Sequence, residues 1–552
     1  MNKRIIKIIA VSAVLITSFG FGADYYFAVS KNIDVFASLF TEVNMYYVDD
    51  VEPSKLMRTC VDGMLKTLDP FTNYFSESQI ETARIQQGGK FGGLGIETKI
   101  MGGYPVITAV WKNQPADKMG IKVGDVIKSI DGNSTKDRKQ EEIDRFLIGE
   151  PKSNVNLVLE RKVSATETKS LSLTIAREEI QETNVPFYGM VTPEIGCIKL
   201  KIFNENAGKD VKDAFDSLKR ANPDMKGIIL DLRSNPGGLL VEAVNIVNVF
   251  VDKNELVVNT KGKVDEWNNT FKTLNEPSDL KIPVAVLTNS MSASASEIVS
   301  GTLQDYDRAV IVGQKTYGKG LVQVTKPLSY NTILKVTTAK YYIPSGRCIQ
   351  ALNYAERNAD GSVKRIPDSL KVAFETKNGR RVWDGGGIDP DVVLAKPEHS
   401  KIAESLSEAN VIFDYVTLFT LIHPTVEDPA RFKLTDRDFA DFVAFAKDRE
   451  WKHQSESEEK LEALKEAASD EKYFDAIKPQ YEAVKKKLEH SKEQDLIKQK
   501  DELIVILENE IVGRYYYAYG KVKKSYQNDP EVTRAIQVLN DPQQYNNLLA
   551  KK

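Results

Sequence analysis

Histidine is nearly missing from this sequence. Its 552 residues contain only four, His399, His423, His453 and His490, all in the last third. The first 398 residues therefore hold no Ser-His-Asp triad, no Cys-His dyad and no histidine-ligated zinc site. Acid–base chemistry there falls to Lys, Asp, Glu, Tyr or Cys. Cysteine is as sparse: Cys60, Cys197 and Cys348, with no C-x-x-C pair. That excludes thiolate zinc sites and thioredoxin-like redox motifs, and an odd count allows at most one internal disulfide. An excess of either charge is also lacking. Lys and Arg number 75, Asp and Glu 78, for a net charge of -3. Such a balance does not suit a protein that binds nucleic acid by neutralising phosphates.

What is present is a globular composition, 41% hydrophobic and 28% charged. Its length suits about three or four domains. At the N-terminus, Lys3 and Arg4 precede an apolar run from Ile5 to Ala23 broken only by Lys7. A basic start followed by an apolar run reads as an export signal, cleaved or retained as an anchor. Gly20, Gly22 and Ala23 supply small residues for cleavage. The chain after residue 30 is thus expected outside the cytoplasm, with membrane anchorage through this segment as one form.

Residues 32–85 read as helical, with Val35, Leu39 and Val43 and then Leu56, Val61 and Leu65 in register. Asp69-Pro70 breaks the pattern. From Gly88 to Gly103 there are seven glycines in sixteen residues. Strand-like runs follow at 105–110, 123–130, 155–160 and 171–175. A second block alternates strands (195–202, 227–232, 282–287, 309–312) with helices (210–220, 239–250, 294–305). That rhythm predicts an α/β core. Beyond residue 400 the chain turns helical and charged. Leu503, Leu507 and Ile511 share one face.

The glycine loop Lys90-Phe91-Gly92-Gly93-Leu94-Gly95-Ile96 runs straight into a strand. Such a loop can turn successive N–H groups toward one carboxylate, and a free strand edge beside it can accept a peptide as an added strand. With Met119-Gly120-Ile121, Gly124-Asp125-Val126-Ile127 and Ile130-Asp131-Gly132 downstream, residues 88–178 resemble a PDZ domain. Gly93, Leu94, Gly95 and Ile96 are its candidate tail-binding residues.

Two segments carry chemistry: Asn289-Ser290-Met291-Ser292-Ala293-Ser294-Ala295-Ser296-Glu297, and Thr316-Tyr317-Gly318-Lys319-Gly320-Leu321-Val322-Gln323. Without histidine, a serine nucleophile needs another base, and a neutral lysine serves. Lowering a lysine from ~10.4 to about 7 takes roughly 4 kcal/mol, which desolvation can supply. Two plainer readings stand beside this. Ser294-Ala295-Ser296-Glu297 also fits a helix capping box, and a lysine between glycines is commonly a surface residue. Ser278-Asp279-Leu280-Lys281 has the S-x-x-K spacing of another serine–lysine class, but it lies in a polar stretch before Pro283 and reads as coincidence.

Taken together, these segments resemble the carboxyl-terminal processing peptidases, or tail-specific proteases, of the S41 serine peptidases. The others that match are Leu68-Asp69-Pro70, Asp231-Leu232-Arg233-Ser234-Asn235-Pro236-Gly237-Gly238, Tyr342-Ile343-Pro344-Ser345-Gly346-Arg347 and Gly387-Ile388-Asp389-Pro390-Asp391. The resemblance spans about residues 32–398. It implies an α/β fold: a mixed α/β serine peptidase core of crotonase-like βαβ units plus β-structure, with an inserted PDZ domain and a helical C-terminal region. It implies Ser294 as nucleophile, Lys319 as general base and Gln323 as the residue orienting the lysine. Ala295 and one of Gly237 and Gly238 would supply the oxyanion hole. No metal and no organic cofactor are implied. The implied partners are protein substrates with free C-terminal tails and, through the helical regions, a second copy of the chain; no nucleic acid.

The expected organisation is therefore a signal peptide or anchor at 1–30, an N-terminal helical region at 31–87, a PDZ domain at 88–178, a peptidase core at 179–398 and a helical region at 399–552. The family pattern is interrupted at 351–384, an insertion read as decoration. Cys197 and Cys348 read as small core residues. Arg514-Tyr515-Tyr516-Tyr517 with Lys521, Lys523 and Lys524 reads as packing or subunit contact. The function expected is a serine endopeptidase of the bacterial periplasm or outer face of the inner membrane, acting at C-terminal tails. The alternative is a catalytically silent PDZ scaffold of the cell envelope.

Overall fold

A computed structural model describes residues 3–79, 90–358, 360–452, 456–488 and 492–551. It divides into two compact units, residues 1–74 with 334–336, and the rest. The first unit is built on two helices, Lys3–Tyr46 and Pro53–Lys66, the second opened by a proline at its first turn, where no N–H is needed. The break read at Asp69-Pro70 is an Asx turn: the Asp69 carboxylate accepts Phe71 and Thr72 N–H, each at 2.8 Å. Among the described residues no helix is long and apolar enough to cross a membrane.

The second unit centres on a six-stranded sheet in the order Phe187–Met190, Ile195–Lys199, Gly227–Asp231, Val284–Thr288, Val310–Gly313, Val392–Val393. The first pair is antiparallel and every later pair parallel. A parallel sheet is buried on both faces, which explains why its strands appear in the sequence as unbroken apolar runs. The two faces separate residue by residue. Ile228, Leu230, Val284, Val286 and Ile311 point to helices Ala207–Ala221, Leu240–Val247 and Ala295–Asp305. Cys197, Ile229, Ala285, Leu287, Val310 and Val312 point the other way, to Pro530–Asn540 and Pro542–Leu549. The second cover thus comes from the far C-terminus, out of the stretch read as a helical tail.

The glycine-rich region leads into a separate sheet, Ile96–Met101, Tyr104–Val110, Val126–Ile130, Asn154–Lys162 and Thr168–Ala176, in that order across the sheet. Ile107, Ile127, Ile143, Leu157 and Leu159 fill its core with the helix Gln140–Leu147. The helical region packs around Phe442, Leu503, Leu507 and Ile511. The tyrosines after Arg514 are packing groups: Tyr516 donates to Val426 O at 3.0 Å and Tyr517 to Asp117 at 2.6 Å. Cys197 is buried in the sheet, and burial first of all pushes its thiol pKa up. His399 meets Glu502, His423 stacks on Phe419, and His453 and His490 lie outside the described residues. The 351–384 insertion forms two small hairpins, Leu352–Arg357 with Val363–Arg365 and Ala373–Glu375 with Arg381–Trp383.

Because Leu539 is buried against the sheet while Leu464 is half exposed, Leu539→Ala is expected to cost about 2–5 kcal/mol and Leu464→Ala about 0.5 or less, read by urea unfolding.

Candidate active site

The serine run follows the strand Val284–Thr288 and ends at the helix Ala295–Asp305. Its three inner serines differ sharply. Ser292 and Ser296 are buried, and their hydroxyls donate to Leu232 O and Asn235 O, each at 2.9 Å. Both are therefore spent on fastening the Leu232–Asn235 turn. Ser294 is partly exposed and takes φ 55°, ψ −112° at the helix N-terminus. A non-glycine residue holds such a backbone only when its surroundings impose it, at roughly 1–3 kcal/mol.

Glu297 does much of the imposing. It is fully buried, and its two oxygens accept four donors. One takes Thr316 Oγ1 at 2.6 Å and Gly318 N at 2.7 Å; the other takes Ser294 N at 2.8 Å and Lys319 N at 2.9 Å. A single carboxylate thus joins the backbone of the serine run to that of the lysine loop. Burial pushes its pKa up to about 7, against the pull of those four hydrogen bonds. Tyr341 repeats the link: its buried hydroxyl lies 2.5 Å from Lys319 O and 3.2 Å from Ser294 O. Sequence spacing identified neither role, although S-x-x-E did signal Glu297 as a cap.

The lysine loop is fixed on its outer side too. Thr316 exchanges hydrogen bonds with Ile388, of the Gly387-Ile388-Asp389-Pro390 turn, and Gly320 N donates to Gln350 Oε1 at 2.8 Å. Lys319 is partly exposed, as is Gln323. The Gln323 amide nitrogen donates to Thr337 Oγ1 at 3.2 Å.

The Asn235–Gly238 turn lies against Ser294. A Cβ on Gly237 would meet Ser294 Cβ and Ala295 N at 2.9 Å, so the approach requires glycine. Gly237 N is already engaged, donating to Asn235 Oδ1 at 2.9 Å. Gly238 N and Ala295 N meet no acceptor among the described residues. Two unpaired N–H groups beside a partly exposed serine can hold an oxyanion.

In the glycine loop, Gly93 pairs with Glu178 in a short antiparallel ladder and the Leu94 side chain is buried in the module's core. Only the Leu94 backbone is therefore available to a ligand. Leu94 O and Gly95 O accept Ala116 N and Trp111 N, while Leu94 N and Gly95 N meet no acceptor among the described residues. Ile96 opens the edge strand, and Gln140 on the facing helix donates to Thr98 Oγ1 at 2.8 Å.

Comparison with known proteins gives a consistent picture. Peptidase family S41 matches residues 194–355, a PDZ domain matches 106–161, and the C-terminal helical domain of a probable PDZ-protease matches 402–539. A carboxy-terminal-processing protease of Bartonella bacilliformis is 35% identical over 324 residues, 58% of this chain and 73% of that one. A probable CtpA-like serine protease of Staphylococcus aureus is 34% identical over 322 residues, 58% of this chain and 63% of that one. The solved photosystem II D1 C-terminal processing protease is 24% identical and covers 65% of this chain and 92% of its own, at a TM-score of 0.36, too loose a superposition to bear further weight.

Glu297 yields a prediction with a definite sign. Folding raises its pKa from 4.5 to about 7, so its contribution to stability is full below about pH 4.5 and is lost as pH rises to about 7. The unfolding free energy of wild type relative to Glu297→Gln is expected to fall by about 3 kcal/mol across that window, measured by urea titrations at several pH values.

Proposed function

The chain belongs to the S41 family of serine peptidases and carries a PDZ domain, and on that premise we propose that it cleaves proteins with a Ser294–Lys319 dyad after its PDZ domain has captured their C-terminal tails. The observation that carries the reading is the contrast among the serines. Ser292 and Ser296 are buried and tied to backbone carbonyls, whereas Ser294 is partly exposed beside the open N–H groups of Gly238 and Ala295.

Lys319 takes the Ser294 hydroxyl proton as Oγ attacks the peptide carbonyl. The oxyanion forms between Gly238 N and Ala295 N. Gly237 contributes its lack of a side chain, because its own N–H is engaged. Gln323, its amide nitrogen held by Thr337, presents its oxygen to the lysine amine. Lys319 returns the proton to the leaving amine, and water then hydrolyses the acyl-enzyme. Glu297 keeps the two loops in register throughout.

The tail carboxylate docks on Leu94 N and Gly95 N, and the residues before it lie along Ile96–Met101 as an added strand. The basic and apolar N-terminus supports export, to a bacterial periplasm or the outer face of the inner membrane, with residues 1–30 as signal or anchor. Exposed apolar residues on the helix Lys3–Tyr46, among them Phe36 and Leu39, suit pairing with a second copy of the chain.

The test is proteolysis of an unstructured protein with an apolar C-terminus by the full chain. Ser294→Ala and Lys319→Ala are each expected to lower kcat/KM at least ~10³-fold. Amidating the substrate's C-terminus is expected to raise KM about tenfold or more, the weight of a charge-assisted hydrogen bond. Cleavage that survives Ser294→Ala would overturn the dyad, and equal cleavage of the amidated substrate would overturn tail capture. Carboxylate-dependent binding with no cleavage by wild type would return the scaffold alternative.

A further inference from the structure

The turn that carries Gly238 is conformationally demanding. Ser234 sits at φ 60°, Gly237 at 100° and Gly238 at 148°. Downstream it is pinned to Phe203, whose N–H donates to Gly237 O and whose carbonyl accepts Leu239 N. Upstream the anchor is Arg233. Asp231 grips the guanidinium through both oxygens, at 3.0 and 2.8 Å, and accepts Arg233 N at 2.9 Å. Lys199 donates to Arg233 O at 2.8 Å and lies 3.1 Å from Asp231. Tyr526 donates to Asp231 at 2.7 Å.

One face of the guanidinium fork remains, and residues nearly three hundred positions away fill it. Arg233 Nη1 meets Asp529 at 2.7 Å and also Glu531. Glu531 is almost fully buried, and its other oxygen accepts the Gln314 amide. Gln314 stands two residues before Thr316 and so heads the lysine loop, and its own N–H is tied to Thr288 O. Asp529 meanwhile caps its helix, accepting Glu531 N and Val532 N at 2.9 and 3.1 Å. The cluster holds two cations, Lys199 and Arg233, and three carboxylates. A buried surplus of negative charge is expensive to keep. The general fold does not need it, because helix Pro530–Asn540 is already held by Val532, Ala535 and Val538 against the sheet.

We propose that Glu531, assisted by Asp529, is a positioning residue for catalysis, by which the C-terminal helices hold the oxyanion turn and the head of the lysine loop in register. The reading rests on the Ser294–Lys319 mechanism above. Glu531 acts from outside the site, where Glu297 acts from within. Through Arg233 it sets the end of the turn that aims Gly238 N, and through Gln314 it sets the start of the loop that carries Lys319. Displacement of the C-terminal helices is then felt first as a loss of oxyanion stabilisation and only later as a loss of substrate binding.

The test compares full-length wild type with Glu531→Gln, Glu531→Asp and Asp529→Asn in peptide cleavage. It also measures inhibition by a peptide aldehyde, whose adduct with the serine places an oxyanion in the hole. Glu531→Gln is expected to lower kcat about tenfold or more with KM within twofold, and to weaken aldehyde inhibition by a similar factor. Glu531→Asp should recover part of both. Asp529→Asn, which keeps a helix cap, should show the same pattern more weakly, and it carries the test if Glu531→Gln fails to fold. Wild-type kcat and wild-type aldehyde inhibition in folded variants would overturn the proposal, as would a loss confined to KM. If wild type itself shows no Ser294-dependent cleavage, the mechanism above fails instead, and the two failures are distinguishable.

Discussion

Glu297 has no exposed surface, yet four donors from two separate loops converge on its carboxylate. A carboxylate out of water is costly unless hydrogen bonds replace its solvation. Here the replacements are the backbone N–H groups of Ser294, Gly318 and Lys319 and the Thr316 hydroxyl. The convergence of these donors on one buried carboxyl group ties the Ser294 loop to the Lys319 loop. The strained backbone of Ser294 follows from the same demand, since its N–H must turn inward to reach the carboxylate. The proposed site is thus assembled by electrostatic satisfaction as much as by packing.

That assembly is set between two further constraints. Asn235 takes Gly237 N with its side-chain oxygen and gives its amide nitrogen to Leu200 O at 2.9 Å, so the turn beside Ser294 is fixed by an internal hydrogen bond. Behind it, the sheet is covered on one face by helices interleaved with its strands and on the other by helices from the chain's end. The chemistry proposed for this core lies within some thirty residues of sequence and the turn facing them.

Much of the fold was legible in the sequence for a simple reason. Buried parallel strands are continuous apolar runs, so 227–232 and 282–287 were recognisable with ends in error by one or two residues, and the amphipathic 210–220 stretch announced its helix. The hairpins of the 351–384 insertion were not, because their short strands are polar and exposed and carry no periodic signal. Ser294 and Lys319 could be singled out through the family resemblance, since residue type alone left a helix-capping serine and a surface lysine as readings. The choice between Gly237 and Gly238 could not, because it depends on where the Asn235 side chain points. The reach of Glu297 across some twenty residues, and of Glu531 across nearly three hundred, left no trace in local spacing. A capping pattern tells that a glutamate will turn back on its own helix and says nothing of what else its second oxygen will meet.

The most direct measurement is covalent labelling of the full chain with a fluorophosphonate, followed by peptide mapping, in wild type and Lys319→Ala. The expected result is a single adduct on Ser294, formed at a rate that rises with pH in wild type and falls at least tenfold when the lysine is removed. Labelling of Ser290, Ser292 or Ser296, or an unchanged rate on Ser294 without Lys319, would contradict a site in which Ser294, set between two buried and hydrogen-bonded serines, is activated by Lys319.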